Sequence, residues 1–375
     1  MITNRKRWLA ALVCVPALVV GCSNSGTAEV TPSPSPADTP AARSAQAPSS
    51  AAAEQPAATA EESPVDRLPS VSTPANPEGL TIPQVVGTYE VARHPVAVTF
   101  DQTGGQLLVS HRFEGSMGSY DPASGQQFAT TIVGRSPRDI AVSPDGALAY
   151  VAISGDAAVA VVDLASGELV ETVAVGARPT SVAVSSDGAT LFVTNSVDNT
   201  LSAVNLAVGA VGWTAQVGER PGKVAVDPVS GAVWVVDTSG GAISVVDPEA
   251  RAAVSTIEVG GNPAGLAFHP DGGLAYVANA AEATVSVVDT GTLEVTNTIP
   301  VEDGPSAIVV DANASLVHVQ TLNSLRVIDA ASGTVVGLVP IGPGLTDMTI
   351  DPASGTLYVT STDGEGVGRV AVLAR

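Results

Sequence analysis

The sequence predicts an all-β protein: a seven-bladed β-propeller of four-stranded antiparallel blades. Three observations predict it. Pro95, Pro137, Pro179, Pro221, Pro263 and Pro305 stand 42 residues apart without a slip, and a fixed period of about 40–45 residues marks one four-stranded blade per repeat. Between the prolines run short β-branched segments bounded by Gly, Pro, Asp or Asn, the pattern of strands and turns. No part of the repeat carries the 3.6-residue spacing of an amphipathic helix.

The elements follow in order within each repeat. In the third, the first strand starts at Pro179 and ends in a Ser186-Asp187-Gly188 turn. A second strand covers 191–195, a third 200–205, and a fourth ends at Val217. The fifth repeat has the same grammar, with Pro270-Asp271-Gly272 as its first turn. In such turns Asp hydrogen-bonds the backbone and Gly accepts positive φ. The seventh repeat begins at Ile341, puts Leu345 in place of the proline, and ends with the chain after three strands. The strand it lacks is supplied by 82–91, ahead of the first proline. An N-terminal outer strand completing the last blade closes the ring and removes two open sheet edges.

Tyr276-Val277-Ala278-Asn279, Phe192-Val193-Thr194-Asn195 and Tyr358-Val359-Thr360-Ser361 share one place in the repeat. With the proline before them and Val-Ser-Val-Val-Asp after, they resemble the YVTN family of β-propellers over 82–375. That resemblance implies a seven-bladed extracytoplasmic propeller, often at the cell surface, commonly without an assigned activity. The fourth letter departs at His111, Ile153, Asp237, Thr321 and Ser361, so the blades are not interchangeable.

Residues 1–21 read as an export signal: Arg5-Lys6-Arg7, then an apolar run over 8–20 that is too short to span a bilayer. Val19-Val20-Gly21-Cys22 resembles a bacterial lipobox, which makes Cys22 the site of lipidation and the membrane a partner through that anchor. Residues 22–80 are rich in Ala, Pro, Ser and Thr, with ten prolines between Pro32 and Pro77. Such a segment cannot recover its ordering entropy and reads as a disordered tether. The propeller then covers 81–375. Cys14 leaves with the signal, so no disulfide is expected despite an export route that permits one.

The formal charge of −21 excludes nucleic acid as a general partner. The charges are unevenly placed. Asp residues collect in turns at the end of the propeller where inner strands finish, the bottom. Arg93, Arg135, Arg138, Arg178, Arg220 and Lys223 fall at the opposite end, the top, in blades one to four. His94 and His111 map to the same quarter. The candidate ligand-binding set is His94, His111, Arg138, Arg178, Arg220 and Lys223. It would clamp a carboxylate or phosphate on a small molecule, an acidic glycan or an envelope protein. The structural alternative has these side chains bonding the next blade or balancing Asp139, Glu219, Asp303 and Asp347. Asn195, Asp237 and Asn279 share a slot that could present oxygens to a cation, but Asn is the repeat's own letter there, so neither metal nor cofactor is expected. Trp213 reads as an outward-facing aromatic of an outer strand.

No Ser-His-Asp spacing, haem-attachment motif or phosphate loop is present, so no catalytic residue is assigned. The reading is a monomeric, lipid-anchored binding or scaffolding propeller. A lactonase- or lyase-type enzyme at the top of the channel, and an accessory to an envelope redox or cofactor-assembly system, stay open beside it, because the fold hosts many functions.

Overall fold

The computed structural model describes residues 80–375. The export signal, Cys22 and the tether lie outside them. The described residues form 28 strands, numbered β1–β28 in chain order, in seven sheets of four. Each blade is a meander read outward from the channel. The innermost strands are β2 (Pro95–Asp101), β6 (Pro137–Val142), β10 (Pro179–Val184), β14 (Pro221–Val226), β18 (Pro263–Phe268), β22 (Ala307–Asp311) and β26 (Leu345–Ile350). The proline beat therefore marks the point at which the chain turns into the channel wall.

The seventh blade closes as the strand count requires. Its order is β26, β27 (Leu357–Thr362), β28 (Gly368–Ala374), then β1 (Gln84–Val91) on the outside. β1 runs antiparallel to β28 from Gln84 opposite Ala374 to Val91 opposite Gly368, with one bulge between Val85 and Gly87.

Burial follows position within the blade. The two middle strands are buried nearly end to end, as in 191–195 and 201–204, because a neighbouring blade covers each face. The outer strands are mostly exposed. The apolar side chains form seven separate cores, one at each junction between adjacent blades. The core between blades seven and one joins Tyr358 and Val370 to Val98, Leu107 and Tyr120 and includes Val91 of β1. Trp213 does not face outward as expected: it is half-buried and leans on Phe192, with ring centroids 6.1 Å apart.

The Asp-rich bottom is turn chemistry. Asp163 Oδ1 accepts the N–H groups of Ala165 and Ser166 at 3.0 and 2.8 Å, and Asp121 does the same for Ala123 and Ser124 at 3.1 and 2.7 Å.

Candidate functional site

The loop entering every inner strand ends in a left-handed residue. His94, Ser136, Arg178, Arg220, Asn262, Gly304 and Gly344 occupy this slot, with φ of 51°, 58°, 53°, 51°, 53°, 53° and 77°. The turn is imposed by the fold, since all seven blades share it. The side chain is not. Gly and Asn tolerate φ > 0, whereas a long side chain costs about 1 kcal/mol or more there. Blades three and four nevertheless place Arg in the slot.

These two arginines open onto one cavity of about 460 Å3 on the top face, which Arg138 also lines, with Thr180, Asn199 and Thr238. Arg178 and Arg220 are exposed, and none of the three guanidiniums forms an ion pair among the described residues. Arg138 is half-buried and its Nε is enclosed without a hydrogen-bond partner. Burial first, then the charges of Arg112 and Arg178, push its guanidinium below the ordinary arginine value. The cluster thus repels itself. The other top cations are engaged: Arg135 with Asp156 at 2.6 Å, Arg93 with the carbonyl of Glu365, and Arg112 over the ring of Phe113 at 5.6 Å.

The other three candidates lie elsewhere. His94 sits at the junction of blades seven and one, edge-on to Phe113 at 4.6 Å, with its N–H bonded to the carbonyl of Gly366. His111 is 0 % exposed. Its Nε2 lies 3.3 Å from the Tyr120 hydroxyl, and burial lowers its pKa to about 4. It is a neutral interior group and cannot touch a ligand in the mouth. Lys223 points into the central channel, where its Nζ lies 3.1 and 3.0 Å from the two carboxylate oxygens of Asp139. For Lys223 the charge-balancing alternative describes the geometry, whereas for Arg138, Arg178 and Arg220 it does not.

The slot of Asn195, Asp237 and Asn279 is interior too. Asn195 Nδ2 donates to the hydroxyls of Thr200 and Ser202 at 2.9 Å each, and Asn279 Nδ2 to Ser286 at 2.9 Å, so the slot ties the second strand to the third. Among the described residues no three His, Cys, Asp or Glu side chains cluster to hold a metal.

Repeat-by-repeat reading missed the channel. The third residue of each inner-strand slot lies on the channel wall, and in blades two, three and seven it reaches the next blade. Asp139 of blade two accepts the N–H of Val182 in blade three at 3.3 Å and the Ser181 hydroxyl. Ser181 accepts the N–H of Val224 in blade four at 3.2 Å, and Asp347 of blade seven accepts that of Val98 in blade one at 3.1 Å. These side chains satisfy backbone donors on the inner edge of blades one, three and four, which no further strand covers. Asp347 is lifted to about 6, by burial first and by repulsion from Asp139, against the pull of Lys223. A signal existed in the sequence. This slot reads Ala97, Asp139, Ser181, Lys223, Gly265, Ala307 and Asp347, far less uniform than the apolar residue after it.

No curated protein matches the chain. Among solved structures, one similar chain is from the Kuenenia stuttgartiensis hydrazine synthase. It shares 18 % identity and a TM-score of 0.68 over 76 % of this chain and 97 % of that one. At that identity the likeness shows the fold alone. The profile of the YNCE-like beta-propellers matches residues 163–354, just over half of the chain. With its seven four-stranded blades in a closed ring, the chain belongs to the YNCE-like β-propeller family.

Proposed function

We propose that the protein is a lipid-anchored, extracytoplasmic binding propeller of YVTN-type repeats that recognises an anionic ligand at its top face through Arg138, Arg178 and Arg220. One observation carries this reading: three guanidiniums without a counter-ion among the described residues line one cavity, two of them in a backbone conformation that disfavours long side chains. Strain and unrelieved like charge at one place are features that a bound anion would offset. Planar, bidentate arginines suit carboxylate or phosphate groups on a small molecule or acidic glycan.

The chemistry of the channel supports binding rather than turnover. The Ser181 hydroxyl donates a hydrogen bond to Asp139, whose carboxylate also faces the Lys223 ammonium, so neither is free to act on a ligand. Lys223 is held as a cation and is a poor nucleophile.

The test is calorimetric titration of citrate, galacturonate and inorganic phosphate into the protein at low salt. Binding of at least one anion, lost in Arg178→Gly/Arg220→Gly while the fold persists, is expected. Undiminished binding in the double variant would refute the site. The anchor is tested separately: Cys22→Ser should release the protein into the medium, and retention in the membrane fraction would contradict lipidation.

A further inference from the structure

The stitching of one inner strand to the next fails at one place. In blades one, three and four the inward N–H groups of Val98, Val182 and Val224 find Asp347, Asp139 and Ser181. Ile140 and Met348 draw on the Asp directly before them. Leu266 and Ile308 hold the same register in blades five and six. The residues placed to serve them are Lys223, which only donates, and Gly265, which has no side chain. Neither N–H meets a side-chain acceptor among the described residues. Both residues line a channel cavity of about 380 Å3, together with Lys223, Ala307, Asp347 and Met348. Gly265 packs close against blade six, where a Cβ would lie 3.0 Å from the Ser306 carbonyl oxygen, and the short side chain of Ala307 leaves the cavity beside it open. An inner-edge amide without an acceptor is costly unless something fills the gap.

We propose that this cavity binds a small organic acid, its carboxylate taking the Lys223 ammonium and the N–H groups of Leu266 and Ile308, its carbon skeleton lying against the channel wall at Ala264 and Ala307. The cavity is large enough for a compact ligand and is a different place from the arginine-lined mouth. Asp347 shapes the binding. The charged groups acting on it are Lys223 and Asp139. A ligand carboxylate adds a second negative charge, so Asp347 holds a proton more tightly and binding takes one up.

The experiment titrates isobutyrate and benzoate, with isobutyramide as the uncharged control, into the full-length protein at pH 5.5 and 7.5. Affinity on the order of ten-fold tighter at pH 5.5 is expected, with a buffer-dependent heat that reports proton uptake. Ala307→Leu, which fills the cavity, should abolish the pH-dependent binding. Asp347→Asn, which keeps an acceptor for Val98, should bind with little pH dependence. Arg178→Gly/Arg220→Gly should keep the pH-dependent component of binding, which separates this site from any carboxylate taken up at the mouth. The proposal is overturned if neither acid binds at pH 5.5, if isobutyramide binds as tightly as isobutyrate, or if the pH-dependent binding persists in folded Ala307→Leu. Should that variant not fold, Asp347→Asn decides: an unchanged pH dependence there overturns the proposal.

Discussion

Replacing Asp237 by Asn should stabilise the protein at neutral pH and do nothing in acid. Asp237 is 1 % exposed and accepts the Ser244 hydroxyl at 2.7 Å. Burial lifts its carboxyl from 3.8 to about 6, against hydrogen bonds from Ser244 and Gly218. The folded value lies above the unfolded one, so protonation favours the folded state. The contribution is fully present below about pH 4 and is lost as pH rises through about 6, leaving a buried charge to destabilise the blade above pH 7. The rise from 3.8 to about 6 corresponds to roughly 3 kcal/mol, and relaxation around the charge brings the measurable part to about 1–3 kcal/mol. Asn is already the residue in this slot in the flanking blades, where Asn195 bonds Thr200 and Ser202. It carries no charge to bury. Urea unfolding followed by tryptophan fluorescence at pH 7.5 and pH 4 reads the effect, Trp234 lying in the same strand. His111 and His318, held neutral by burial with values lowered to about 4 and about 3, act in the opposite sense, but they are common to both chains and cancel in the difference. Equal stability at pH 7.5, or a gap of the same size at both pH values, would refute the reasoning.

Three further outcomes are expected. Arg178→Gly/Arg220→Gly should be as stable as the parent or gain up to about 1 kcal/mol, since relief of left-handed strain is partly offset by glycine's unfolded-state entropy; a fall of several degrees in melting temperature would make the arginines structural. Removing residues 80–91 should uncover the edge of β28 and the blade seven–one core, giving aggregation or oligomers by size-exclusion chromatography, and a well-behaved monomer would contradict closure by β1. Lys223→Met should cost about 1–3 kcal/mol by stranding Asp139, and adding Asp139→Asn should recover much of it; failure of the second change to rescue would show that the pair is not coupled.

Much of the fold was legible because a propeller writes its architecture once per blade. The proline beat, the Asp-Gly turns and the missing strand of the last repeat all report backbone geometry, which repeats. The site was legible only in part. Arg178 and Arg220 stood out because charge there breaks the repeat, but the sequence says nothing of where a side chain turns next. His111 and Lys223 looked equivalent to them in the linear map. One is folded into a blade interior and the other into the channel, because each lies on a strand with its own facing, whereas the two arginines lie on a loop. The Asp139–Lys223 pair joins residues two blades apart, and no local pattern encodes a contact across an open channel. The gap at Leu266 and Ile308 is an absence of acceptors and becomes visible only when successive blades are laid side by side.

Closure by β1 also fixes a polarity. β1 runs toward the top, since Val91 leads within four residues to Pro95 at the head of the channel wall. Gln84 therefore lies at the bottom rim, near Arg375, which pairs with Asp311 at 3.2 Å on that face. β1 thus starts on the side crowded with aspartate, while Arg138, Arg178 and Arg220 open at the far end. A group attached at Gln84 would therefore sit at the acidic base of the ring, at the opposite end from the arginine-lined cavity.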